Sequence, residues 1–123
     1  MKHKFVFLSL ALSLAAAARA HFVFVVPEEN GAKAKVIMSE DLKPNQQVGI
    51  GLIGGTKLKL RDAHGRDTQL SLMRAEHAFE MDLPGSGQRL VYGMTDLGVM
   101  QRGTGKPHVL LYYPKTILGN AFD

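Results

Sequence analysis

With 123 residues, 46% of them hydrophobic and none of them cysteine, the chain has material for one domain but none for disulfides, thiolate metal sites or cysteine nucleophiles. Its formal charge of +4 is concentrated at one end: Lys2, Lys4 and Arg19 fall within the first 20 residues, where there is no acid, and the remaining 103 carry 12 basic against 11 acidic side chains. A near-neutral, interspersed balance of that kind gives no electrostatic footprint for nucleic acid or for an anionic lipid surface.

In chain order, the first segment reads as an address. Lys2 and Lys4 precede an apolar run over residues 5–17 that only Ser9 and Ser13 interrupt, and Ala18-Arg19-Ala20 has the small-x-small form of a signal-peptidase site. The run is far shorter than the roughly 20 residues that a membrane span requires. Residues 1–20 are therefore expected to be a signal peptide, with export to the periplasm or cell exterior, no membrane insertion after cleavage, and His21 as the first mature residue.

Residues 21–26 (HFVFVV) are aromatic or β-branched almost throughout and are followed by Pro27 and the turn pair Asn30-Gly31, which predicts a buried first strand. Residues 32–38 alternate Lys33, Lys35 and Ile37 with Ala34, Val36 and Met38, a half-exposed partner strand, and residues 39–47 form a polar loop around Pro44. After a glycine-spaced apolar piece over 48–53, residues 56–61 (TKLKLR) and 68–73 alternate on either side of the turn Asp62-Ala63-His64-Gly65 and are expected to pair as a hairpin. Residues 77–83 set Phe79, Met81 and Leu83 against Glu80 and Asp82, ahead of the turn Pro84-Gly85-Ser86-Gly87. Residues 89–94 and 98–101 predict two short strands around Thr95-Asp96, and residues 108–113 (HVLLYY) a last strand before Pro114. No apolar period of 3.6 residues lasts long enough for a sizeable helix, so residues 21–123 are expected to form a single all-β domain, an antiparallel immunoglobulin-like sandwich of about seven or eight short strands. The apolar and irregular residues 117–123 fit the N-terminal part of a longer parent.

Freed by cleavage, His21 would carry an α-amine and an imidazole on one residue, a chelating pair that an internal histidine lacks. Imidazole and amine nitrogen suit the borderline divalent ions, and copper binds such sites more tightly than nickel or cobalt. His77, beside Glu76 at a strand start, and His108, at the head of the last strand, are the candidate further metal ligands, with Glu40, Asp41 and Asp96 behind them as oxygen donors. His64 lies in a hairpin turn and is expected to have no site role, and the methionines of the strands are expected to fill core space. No Gly-x-Ser-x-Gly, phosphate loop or His-Glu-x-x-His occurs, so no enzyme is expected.

Taken together, His21 after the signal, the following Phe-Val-Phe-Val-Val-Pro, Met38-Ser39-Glu40, Gly55-Thr56-Lys57-Leu58, Leu83-Pro84-Gly85-Ser86-Gly87, Tyr92-Gly93, Gly98-Val99 and Leu111-Tyr112-Tyr113-Pro114-Lys115 resemble an exported β-domain family. It is the family grouped with the NikM-type periplasmic component of nickel and cobalt uptake systems. The resemblance implies a cell-envelope protein that handles nickel, cobalt or copper as a carrier or accessory, with a metal-uptake transporter component as partner and His21 as the residue to carry over. The Met-His start of NikM itself is absent here, since histidine comes first. The chain is also similar to the small CopC-type copper carriers, through an initial histidine and Ser39-Glu40, but Lys106 stands where their late Asp-x-His motif has its aspartate. The rival expectation is a structural or protein-interaction sandwich without metal.

Overall fold

The computed structural model describes residues 21–45 and 49–119. The proposed signal over residues 1–20 lies outside the described residues. The strands run in chain order as β1 (Phe22–Pro27), β2 (Lys33–Ser39), β3 (Thr56–Arg61), β4 (Asp67–Gln69), β5 (Met73–Arg74), β6 (Phe79–Asp82), β7 (Arg89–Met100), β8 (His108–Tyr112) and β9 (Lys115–Leu118), and one 3-10 turn, Ile50–Ile53, leads into β3.

Every pairing is antiparallel. One sheet has the order β1-β2-β6-β5; the other runs β4-β3-β7, with β8 and β9 sharing the free side of β7. The two sheets bury their inner faces against each other. Val23, Val25, Ala34, Val36 and Met81 come from the first, Leu58, Leu60, Val91 and Leu118 from the second, and Ile53 and Leu70 close the core from the connections. Each fully buried aliphatic side chain contributes about 1.5–3 kcal/mol of transfer free energy, so this set drives the folding of a chain that contains no disulfide. The all-β sandwich expected from the sequence is what the chain forms, with nine strands among the described residues.

Three elements differ from expectation. Residues 68–73 do not form one strand: β4 pairs β3 in one sheet, the chain crosses at Leu70-Ser71-Leu72, and β5 pairs β6 in the other. Leu70 and Leu72 alternate because both face the core from the crossing, a pattern that a continuous strand would share. The two short strands expected at 89–94 and 98–101 are one strand, β7, with an irregularity between Asp96 and Val99 where Asp96 Oδ1 accepts the Gly98 amide at 2.7 Å and Gly98 takes φ +74°. Beyond Pro114 the chain resumes pairing as β9, opposite the first half of β7.

Among the described residues every buried side-chain polar atom has a hydrogen-bond partner. Thr56 Oγ1 is 2.7 Å from the Ile53 carbonyl, to which it gives its one proton, so Thr95 is the donor in the 2.8 Å contact between the two hydroxyls. Arg89, only 6% exposed, reaches back through Nη1 and Nε to the carbonyls of Pro84, Gly85 and Gly87 at 3.2–3.3 Å and holds the turn that the sequence marked.

Candidate metal site around His21

His21 immediately precedes β1, and the pairing of Phe22 with Ser39 sets it at the end of the first sheet where β2 runs out into residues 40–45. That segment is shaped by short polar side chains: Ser39 Oγ accepts the Asp41 amide at 3.3 Å and Asp41 Oδ1 accepts the Lys43 amide at 2.8 Å. The resulting bend brings Glu40 and Asn45 to one ring nitrogen. His21 Nε2 lies 3.6 Å from Glu40 Oε1 and 3.2 Å from Asn45 Nδ2. The ring and the carboxylate are each about one-third exposed, 34% and 35%. The backbone is fixed from the other sheet, where the Tyr112 hydroxyl donates to the His21 carbonyl at 2.9 Å and the Tyr112 and Phe22 rings meet edge to face at 6.3 Å.

Covalent geometry divides the labour between the ring nitrogens. An α-amine and Nδ1 of the same histidine close a six-membered ring around a metal, whereas Nε2 lies on the far side of the imidazole. The contacts of Nε2 with Glu40 and Asn45 therefore leave the chelating nitrogen free of them. Glu40 stands at the ring nitrogen away from Nδ1, a position from which a carboxylate orients an imidazole. The ring tautomer decides whether Nε2 accepts from Asn45 or donates to Glu40, and a metal held at Nδ1 would require the tautomer with the proton on Nε2, facing Glu40. A donor set of amine and imidazole nitrogen would fit a borderline divalent ion.

The other expected ligands are placed apart from this pair. His77 stands just before β6, its Nε2 3.5 Å from Glu76 Oε1, and shares a depression of about 380 Å³ with Lys35, Pro44 and Glu80. It is at the same end of the first sheet as His21, with residues 44 and 45 reaching one histidine each. His108 is exposed opposite Met100 at the tip of the β7–β8 ribbon, four residues or about 13 Å of strand from Tyr112. Among the described residues no three His, Asp or Glu side chains gather closely enough to hold a metal ion. Asp96 is occupied by the Gly98 amide, and His64 is an exposed turn residue whose own amide binds Asp62 Oδ1 at 2.9 Å.

The chain matches no family model, no curated protein and no solved structure. Asn45 and Tyr112 were not readable as site residues. Asn45 is one polar residue among several in a loop, and Tyr112 joins His21 only because the two sheets face each other.

Proposed function

We propose that this chain is an exported transition-metal-binding protein, a carrier of or accessory to the uptake of nickel, cobalt or copper, that holds its ion at the amine and Nδ1 of a terminal His21. The observation that carries this reading is the contact of His21 Nε2 with Glu40 and Asn45, which orients the imidazole and leaves its chelating nitrogen available. Cleavage after Ala20 supplies the amine. Because an ordinary α-amine has a pKa near 8, the ion must displace a proton, and affinity falls as pH drops below neutrality.

The test is calorimetric titration of copper(II) and nickel(II) into three proteins: one beginning at His21, one with a glycine ahead of it, and His64→Ala. Copper is expected to bind more tightly than nickel, the extension to weaken both, and His64→Ala to match the unaltered protein. Equal affinities for the first two proteins would refute a terminal chelate. The rival reading is a metal-free structural or protein-interaction module of the cell envelope, and no binding by any of the three proteins would leave it as the better one.

A further inference from the structure

The outer faces of the two sheets treat their lysines differently. On the first, Lys33 and Lys35 stand opposite Asp82 and Glu80, with ion-pair distances of 3.8 and 3.9 Å. On the second, Lys57 and Lys59 stand opposite Met94 and Tyr92, and among the described residues no carboxylate lies within ion-pair distance of either ammonium. Asp67, which feels the charge of Lys59, and Asp96, which lines a depression with Lys57, make their hydrogen bonds elsewhere. Asp67 accepts two hydrogen bonds from Arg61, at 2.8 and 3.1 Å, and one from the Tyr92 hydroxyl at 2.6 Å, while Asp96 holds the Gly98 amide.

Between these lysines and the β8–β9 bend lies a depression of about 490 Å³, walled by Lys57, Lys59 and Gln69 on one side and Tyr113 on the other, with Tyr92 and Met94 at its base. Tyr113 keeps 69% of its surface in water. The hollow falls within the size range of small-molecule sites, and its mostly apolar lining with a few polar groups at the rim is their usual composition. Lys57 and Lys59 are two residues apart on one strand, so they stand about 7 Å apart at the backbone and converge on one edge of the hollow. Two ammonium groups that form no ion pair among the described residues, beside an apolar base and an open tyrosine ring, are complementary to a molecule with an anionic head and an apolar body.

We infer that this face of β3 and β7 binds a small amphipathic carboxylate, its head between Lys57 and Lys59 and its apolar body against Met94, Tyr92 and Tyr113. Lysine presents a point charge on a flexible stem, which suits a single carboxylate on ligands of differing shape. This site is independent of the metal reading, because it lies on the outer face of the other sheet and uses none of the residues around His21.

The experiment follows tyrosine ring and methionine methyl signals by nuclear magnetic resonance as 2-naphthoate is added, with 2-naphthylmethanol, acetate and tetraglutamate as comparison probes. Naphthoate is expected to move Tyr92, Tyr113 and Met94 saturably and the alcohol and acetate to bind far more weakly. The double variant Lys57→Glu/Lys59→Glu should lose about tenfold in affinity, Lys57→Gln/Lys59→Gln less, and Lys35→Glu on the other sheet nothing. Circular dichroism confirms that each variant keeps its β spectrum, and the neutral pair supplies the answer if the charge reversal unfolds. Equal binding of the alcohol would show an unspecific apolar patch, and equal binding of acetate or tetraglutamate a mere charge patch. Either result overturns the inference, as does unchanged affinity in both lysine pairs or a failure to saturate.

Discussion

The Tyr112 hydroxyl donates to the His21 carbonyl across 91 residues of sequence and across the gap between the two sheets. The bond ties the start of β1 to the end of β8, so the position of the proposed chelate depends on the packing of the whole sandwich. Tyr112→Phe keeps the ring packed on Phe22 and removes only the donor. It is expected to cost about 1 kcal/mol, or a fall of about 5 °C in thermal midpoint, and to raise amide exchange at the first residues of β1 above the rest of the sheet. Uniform exchange along β1 would show that the strap does not hold this end.

Glu40 distinguishes an orienting carboxylate from a ligand. If it accepts the Nε2 proton of a metal-bound His21, Glu40→Gln should weaken copper binding by about tenfold, within the range typical of orienting partners, and leave the coordination spectrum of the ion unchanged. A spectrum altered to match that of His21→Ala would place Glu40 on the metal instead. Asn45→Ala should act in the same direction as Glu40→Gln and by less, since it contributes a neutral hydrogen bond where Glu40 contributes a charged one.

Arg89 is a buried cation whose partners in the described residues are backbone carbonyls. Its planar fork spans Leu83, Pro84, Gly85 and Gly87 in a way that a lysine ammonium cannot. Arg89→Lys and Arg89→Met should each destabilise the protein by about 2–4 kcal/mol in urea unfolding, because carbonyls of the turn lose their donors, and proteolysis of the native state should begin at residues 83–87. Equal stability of Arg89→Met would mean that water replaces the guanidinium.

The strands with strict alternation were legible from sequence, and β3 is the clearest: Thr56, Leu58 and Leu60 are buried and Lys57, Lys59 and Arg61 exposed. Leu60→Asp should accordingly unfold the domain, since the carboxylate would face Val91 and Leu58 with no partner. Connections were less legible, because alternation reports which side of the chain meets the core and not which sheet supplies the hydrogen bonds. Leu70 and Leu72 satisfy the same pattern whether the chain stays in one sheet or crosses between two. Pro114 reads as a stop, yet its carbonyl accepts the Gly93 amide at 3.2 Å and the chain continues as β9, burying Leu118. Gly93 shows the converse. A side chain there would strike the Lys57 carbonyl, a closeness of β3 and β7 that nothing in the neighbouring residues announces. At the site, His21 and Glu40 were visible as residue types, but Asn45 and Tyr112 owe their roles to distant pairings.

The cluster of Arg61, Asp67 and Tyr92 gives the protein a pH signature with a defined sign. Asp67 is held at about 2, chiefly by hydrogen bonds from Arg61 and then from the Tyr92 hydroxyl, whereas an unfolded aspartate titrates at 3.8. A depressed folded value means that the carboxylate contributes stability that is fully present above 3.8 and lost as pH falls through 2. Tyr92 is shifted the other way, upward from 10, because its proton is given to Asp67; its contribution is present below 10 and lost as pH rises through the higher folded value. The groups are exposed, so salt should shrink both effects. Carboxyl resonance titration should place Asp67 near 2 in the unaltered protein, higher in Tyr92→Phe, and higher still in Arg61→Met. Between pH 7 and pH 2, the unaltered protein should lose more of its urea midpoint than Asp67→Asn, which has no charge there to lose. Equal losses would show that the carboxylate is solvated in the folded state as it is in the unfolded one.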